Sequence, residues 1–169
     1  MVKWGRFFDR IIETLAFLAG VLLSFILVSV SIEVFMRYFL NRPLQWVIEL
    51  TEYALLYVTF LGSAWVLKEE RHISVDVIVS TMSPRTQAYL GLVGTGIGIV
   101  VCLVLIWFGF GTAWDHFVRK VYNPTILEFP KAPIIAIIPV GSIFLIIQFV
   151  RRGYGLIKRI KNRENPSSL

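Results

Sequence analysis

Residues 86–114, TQAYLGLVGTGIGIVVCLVLIWFGFGTAW, contain no Asp, Glu, Lys or Arg. As an α-helix this stretch would be about 43 Å long, which exceeds the roughly 30 Å of hydrocarbon in a bilayer. Residues 14–32 and 132–150 are also free of charged side chains. Uncharged apolar runs of this length are typical of membrane-spanning helices, so the sequence predicts a protein whose main solvent is lipid.

A fourth span is less obvious, because its charge-free core, residues 53–67, covers only about 22 Å as a helix. A start at Trp46 lengthens the helix to about 33 Å and places Glu49 and Glu52 in its first two turns. We therefore predict an all-α, four-helix bundle with spans near 11–35, 46–67, 86–112 and 132–151. Residues 1–152 would form this single domain, and residues 153–169 would be a basic cytoplasmic tail that frays.

The composition agrees with a membrane protein and narrows its partners. Of 169 residues, 56% are hydrophobic and 17% are charged, too few charges to cover a water-soluble domain of this size. The net charge of +6 arises mostly from short segments between the apolar runs and from the tail, where anionic lipid headgroups, rather than nucleic acid, are the expected partner. Cys102 is the single cysteine, and no Cys/His pair has zinc-site spacing, so we expect no disulfide, metal or other cofactor.

The distribution of basic residues predicts the orientation. Segments on the side of both termini hold 12 of the 17 Lys and Arg residues, and the opposite side holds 5. Because basic loops remain in the cytoplasm, both termini are predicted to be cytoplasmic.

The apolar runs carry no ionisable residue near the membrane midplane, where a self-sufficient small transporter would hold its proton or substrate. We therefore predict neither an enzyme nor a lone transporter. The alternative is a membrane anchor of a redox complex that binds haem. His72 and His116 fall on opposite sides of the predicted membrane, so only a haem with a single histidine ligand would remain possible.

The most informative polar segment lies between the first two spans. Glu33 and Arg37 are four residues apart and can form an ion pair on one helix. Asn41-Arg42-Pro43 then predicts a turn, because Pro43 lacks an amide donor and restricts the residue before it. Trp46 is expected at headgroup level.

Glu49 and Glu52 share a helix face partly inside the apolar zone, and a membrane carboxylate is costly unless it is paired. Arg37 or Arg42 across the turn could supply the partner, or a basic residue of another subunit could. The sequence leaves both alternatives open.

Two features of the later spans predict close packing. Gly94 and Gly98 have the four-residue spacing that lets helices approach closely. Pro139, inside the fourth span, removes one backbone hydrogen bond and, with Gly141, predicts a kink.

Several segments together resemble a known family. They are RYFLNRPLQW at 37–46, ELTEY at 49–53, FLGSA at 60–64, HISVD from His72 to Asp76, NPT at 123–125 with Pro130, and IPVG at 138–141. In this order and spacing the chain resembles, from about its first helix to Arg152, the small membrane subunit of tripartite ATP-independent periplasmic (TRAP) transporters, the DctQ type. Val47 stands where the family often has a small polar residue, and Asn123 where serine is common.

The resemblance implies a non-catalytic scaffold in the bacterial inner membrane. Its partners would be a large transport subunit of the DctM type and a periplasmic binding protein of the DctP type. Together they would take up an organic acid, of the C4-dicarboxylate or sialic acid type, in symport with sodium. Besides the residues discussed above, His72 and Asp76 become candidates for subunit contacts or structural roles.

Overall fold

Four long helices account for most of the protein. In a computed structural model that describes residues 2–69 and 84–164, α1 is Val2–Phe39, α2 is Gln45–Glu69, α3 is Pro84–Val118 and α4 is Lys131–Glu164. All four are long and apolar enough to cross a membrane. The predicted all-α, four-helix membrane bundle is confirmed, and each helix extends beyond the span estimated from the sequence.

Because successive helices run in opposite directions, the bundle has two distinct ends. The "terminus end" carries the start of α1 and the end of α4. The "far end" carries residues 40–44, between α1 and α2, and residues 119–130, between α3 and α4.

The turn predicted at Asn41-Arg42-Pro43 lies at the far end and closes α1. Asn41 has φ 52°, in the left-handed region that asparagine tolerates, and the Arg42 amide donates back to the Met36 carbonyl at 3.2 Å. Pro43 follows, and α2 begins two residues later, with Trp46 partly exposed in its first turn.

Helix α3 ends by a similar device. Lys120 has φ 50°, its amide donates to the Phe117 carbonyl at 3.3 Å, and the Val121 amide donates to the His116 carbonyl at 3.1 Å. These two bonds form the Schellman motif, in which a left-handed residue lets the chain leave the helix with its last carbonyls satisfied.

The helices pack in the order α1, α2, α4, α3. Helix α2 contacts α1 on one side and α4 on the other, and α3 packs mainly on α4. Only 11% of the α3 span and 28% of the α4 span are buried inside the chain. Most of the apolar surface of the spans therefore needs lipid or another protein to cover it.

The sequence expectation of a frayed tail from residue 153 differs from the structure, in which α4 continues to Glu164. Leu156 packs beside Gly91 of α3, 3.1 Å from the position that a Cβ would take there. Lysine and arginine are good helix formers, so a helix anchored by that contact propagates into the basic segment.

Candidate functional site

The far end is held together by the carboxylate of Glu49, in the first turns of α2. Its Oε1 accepts a hydrogen bond from the Ile126 amide at 2.9 Å, and its Oε2 accepts one from the Leu127 amide at 3.2 Å. The buried hydroxyl of Thr125 stands next to the same carboxylate without a hydrogen bond of good geometry. Glu49 therefore clamps the backbone of the α3–α4 loop with a charge-assisted pair of bonds.

Two tyrosines continue this contact along the same face of α2, at four-residue spacing. The Tyr53 hydroxyl accepts a hydrogen bond from the Asn123 side-chain amide, and its ring lies 6.1 Å from the Phe129 ring. The Tyr57 hydroxyl donates to the Pro133 carbonyl, at the start of α4, at 2.9 Å. We call Glu49, Tyr53 and Tyr57 the "polar ladder".

The loop that the polar ladder binds has its own backbone order. Tyr122 and Pro130 form an antiparallel bridge, the Asn123 amide donates to the Phe129 carbonyl at 3.0 Å, and the Lys131 amide donates to the Val121 carbonyl at 3.0 Å. These bonds fold the loop back on itself and turn its tip towards Glu49. The contact between the loop and α2 could not be predicted from the sequence. The i, i+4, i+8 spacing of Glu49 and the two tyrosines, however, indicates that they share one polar face of α2.

The structure thus places an unexpected group opposite Glu49. Arg37 instead contacts Glu33, with its Nε 3.5 Å from the Glu33 Oε1, in the pair that their spacing predicts. That Glu33 oxygen is buried and accepts no hydrogen bond among the described residues. Neither Arg37 nor Arg42 is paired with Glu49 among the described residues, and the amides of Ile126 and Leu127 take that place.

Glu52 behaves differently from Glu49. Glu52 is exposed, and no hydrogen bond or ion pair joins it to any residue in the described ranges. The two carboxylates that the sequence treats as a pair therefore face different surroundings.

At the terminus end, two ion pairs fasten α1 to its neighbours. Arg151 of α4 contacts Asp9 at 2.6 Å through Nη1 and at 3.3 Å through Nη2, and its guanidinium lies over the Phe8 ring at 5.6 Å. Lys68 of α2 donates to Glu13 at 2.8 Å. No local sequence pattern predicts these contacts, because each joins residues far apart in the chain.

Gly94 and Gly98 of α3 lie in different surroundings. A Cβ on Gly98 would collide with the Phe149 ring, whereas a Cβ on Gly94 would meet nothing within 4 Å. Gly91 and Thr95 share the α4-facing side with Gly98, since Gly91 lies beside Leu156 and Thr95 lies beside Gly153. Within the described chain, Gly98 therefore packs closely on α4 and Gly94 does not.

Pro139 is buried in α4, with its Cδ 3.0 Å from the Cβ position of Gly109 in α3. The Cβ position of Gly141 lies 2.9 Å from the Phe60 carbonyl oxygen of α2. These small residues bring α4 close to both of its neighbours.

The remaining polar candidates do not converge on a site. His72 and Asp76 lie outside the described residues. His116 Nδ1 is 2.8 Å from the Thr112 carbonyl of its own helix, and Cys102 is buried. Within residues 2–69 and 84–164, no group of three His, Cys, Asp or Glu side chains is arranged to hold a metal ion.

An apolar groove of about 640 Å³ opens between α1, α2 and α4 in the half of the bundle nearer the terminus end. Its walls are mostly small or aliphatic: Ala16, Ala19, Gly20 and Leu23 from α1, Val58, Thr59, Gly62, Ser63, Trp65, Val66 and Leu67 from α2, and Leu145 and Phe149 from α4. Such a groove offers no charged group to a water-soluble substrate.

Comparison with known proteins gives a consistent result. Residues 26–159 match the family described as tripartite ATP-independent periplasmic transporters, DctQ component. A TRAP transporter small permease protein of Haemophilus influenzae is 28% identical over 123 residues, which are 73% of this chain and 72% of the relative. The C4-dicarboxylate TRAP transporter small permease protein DctQ of Vibrio cholerae is 25% identical over 181 aligned positions, covering 90% of this chain and 74% of the relative.

Proposed function

The chain belongs to the DctQ family of TRAP transporter small permeases and is a multi-pass bacterial membrane protein, and we propose that it is the non-catalytic scaffold of its transporter. In this role it enlarges the membrane-fixed part of the assembly and supports a large transport subunit that moves the substrate.

One observation carries the proposal. The middle of each of the four spans is free of Asp, Glu, Lys and Arg, over residues 14–32, 53–67, 86–114 and 132–150. Intramembrane transport sites normally contain ionisable residues or helices broken at the midplane. The four helices of this chain are continuous through their middles, and its best-organised polar contact, Glu49, is occupied by the chain's own backbone.

We propose further that the assembly takes up an organic acid in symport with sodium across the inner membrane. A periplasmic binding protein of the DctP type would deliver the acid, and a large subunit of the DctM type would carry it. The name of the Vibrio relative, which specifies C4-dicarboxylates, supports an acid of that type, and sialic acid is the other candidate class.

The proposed orientation places both termini in the cytoplasm. The excess of Lys and Arg at the terminus end supports it. Fusion of a reporter that is active only in the periplasm to Leu169 is expected to give no signal, while the same reporter inserted after Glu128, in the far-end loop, is expected to be active. The reverse pattern would overturn the orientation.

Reconstitution tests the scaffold role directly. Liposomes would receive this chain alone, the large subunit alone or both, with the binding protein, a labelled organic acid and an inward sodium gradient outside. Uptake is expected with both subunits and is not expected with this chain alone. Sodium-dependent uptake by this chain alone would refute the proposal, and a potassium gradient is the control for ion coupling.

A further inference from the structure

Helix α2 presents one face that no other part of the described chain covers. Exposed side chains recur along it every three or four residues, at Ile48, Glu52, Leu55 and Thr59, and the face continues to Val66. The polar ladder and the contact with α1 occupy the other sides of the same helix. This spacing places the exposed side chains in one stripe, the pattern by which helices pack on one another.

Glu52 makes this stripe unsuited to lipid. The uncharged part of α2 that follows it, residues 53–67, is about 22 Å long, shorter than the hydrocarbon layer, so Glu52 lies at or inside the apolar boundary. Its exposed carboxylate has no partner among residues 2–69 and 84–164. A carboxylate facing acyl chains is strongly disfavoured, and such residues normally face protein or a water-filled cavity.

The other half of the stripe runs into the apolar groove. Thr59 and Val66 belong to both, so the exposed face of α2 and the groove form one continuous surface. Gly20 lies in the α1 wall, and a Cβ built on it meets no atom within 4 Å. The groove therefore has room for side chains that the described chain does not supply.

We propose that this surface, the α2 stripe together with the groove, receives a membrane-spanning helix of the large transport subunit. The incoming helix inserts apolar side chains into the groove and places a basic or hydrogen-bond-donating side chain opposite Glu52. The inference rests on the proposed function, which supplies the partner, and adds the surface and the chemistry by which that partner is held.

A lipid fits this surface less well. An acyl chain could fill the groove, but it offers no donor at the level of Glu52, in the opposite half of the helix. A protein helix satisfies both halves at once, because apolar side chains and a single donor can stand on the same face.

The first experiment measures how much large subunit co-purifies with this chain from solubilised membranes. Gly20→Leu adds a side chain to the groove at a position where a Cβ meets no atom within 4 Å, and it is expected to lower the yield of the complex about tenfold. Gly111→Leu is the matched control, since Gly111 also has nothing within 4 Å but lies on α3, outside the groove. It is expected to leave the yield unchanged.

The second variant removes the negative charge of Glu52, for which the proposal requires a partner on the large subunit. Glu52→Gln is expected to lower the complex yield and to make the residual complex insensitive to salt, whereas Glu128→Gln, in the exposed far-end loop, should change neither. An unchanged yield for both Gly20→Leu and Glu52→Gln would overturn the proposal.

Photo-crosslinking in intact membranes tests the same surface without the Gly20→Leu and Glu52→Gln variants, either of which could fail to fold. A photoreactive residue in place of Leu55, in the stripe, is expected to crosslink to the large subunit, and one in place of Val100, on the exposed side of α3, is not. Crosslinks from Leu55 to lipid alone would refute the surface while leaving the scaffold role intact. Failure of the unmodified chain to co-purify with the large subunit would instead refute the proposed function.

Discussion

Arg151 places its Nη1 2.6 Å from the Oδ1 of Asp9, although the two residues are 142 positions apart in the chain. Their side chains are 34% and 30% exposed, so the pair is partly shielded from water. It joins the first and last helices at the terminus end, where those helices otherwise have few contacts.

We expect Asp9→Asn to destabilise the protein by about 1 kcal/mol, because it removes the negative charge from a partly buried, two-bond pair. Asp115→Asn is the matched control, since its partner Arg119 is only four residues away, just beyond the end of α3, and the pair is largely exposed. Thermal unfolding in detergent would compare the two variants. Equal shifts in Tm would contradict a special role for the Asp9 pair.

Glu49→Ala should loosen the far-end loop without unfolding the helices, because the amides of Ile126 and Leu127 lose their shared acceptor. Hydrogen exchange at those two amides is expected to accelerate, while exchange in the middle of α3 stays slow. Glu52→Ala, one turn away on a different face, should not affect the loop. Similar protection of Ile126 in all three proteins would show that the loop holds its shape by itself.

Gly94 and Gly98 of α3 are expected to respond in opposite directions to the same substitution. Gly98→Ala introduces a Cβ into the Phe149 ring and should cost about 1–3 kcal/mol, since a packed interface resists added volume. Gly94→Ala meets open space and should stabilise the helix by up to about 1 kcal/mol. Thermal unfolding of the single variants checks both signs, and destabilisation by Gly94→Ala would contradict the open space around Gly94.

Lys120→Gly is expected to stabilise the protein by about 1 kcal/mol, because glycine adopts the left-handed conformation of the α3 cap without a steric penalty. Arg119→Gly, next to it, lacks positive φ and should destabilise. The Tm of each variant in detergent is the measurement. A loss of stability in Lys120→Gly would mean that the lysine side chain contributes more than its backbone strain costs.

The sequence predicts the spans and the first turn well because each depends on local properties. Hydrocarbon thickness sets the length of a span, and Asn41-Arg42-Pro43 ends α1 through its own backbone preferences. The partner of Glu49 depends instead on residues 77 and 78 positions away, brought close by the packing of α2 on α4. No local sequence pattern predicts the contact between Glu49 and these backbone amides. Charge complementarity alone favoured an arginine as the partner of Glu49.

The side of α3 that packs against α4 could likewise not be predicted from the sequence. Gly94 and Gly98 have the right spacing for close approach, but which side of α3 meets α4 is decided by bulky partners such as Phe149. The continuation of α4 beyond residue 153 depends on the contact of Leu156 with α3, which composition does not reveal.

The order α1, α2, α4, α3 has a mechanical consequence. Helix α3 packs mainly on α4, so a force that a neighbouring protein exerts on α3 reaches α2 and α1 through α4. The close approaches of Gly98 to Phe149 and of Gly109 to Pro139 are the points that transmit it.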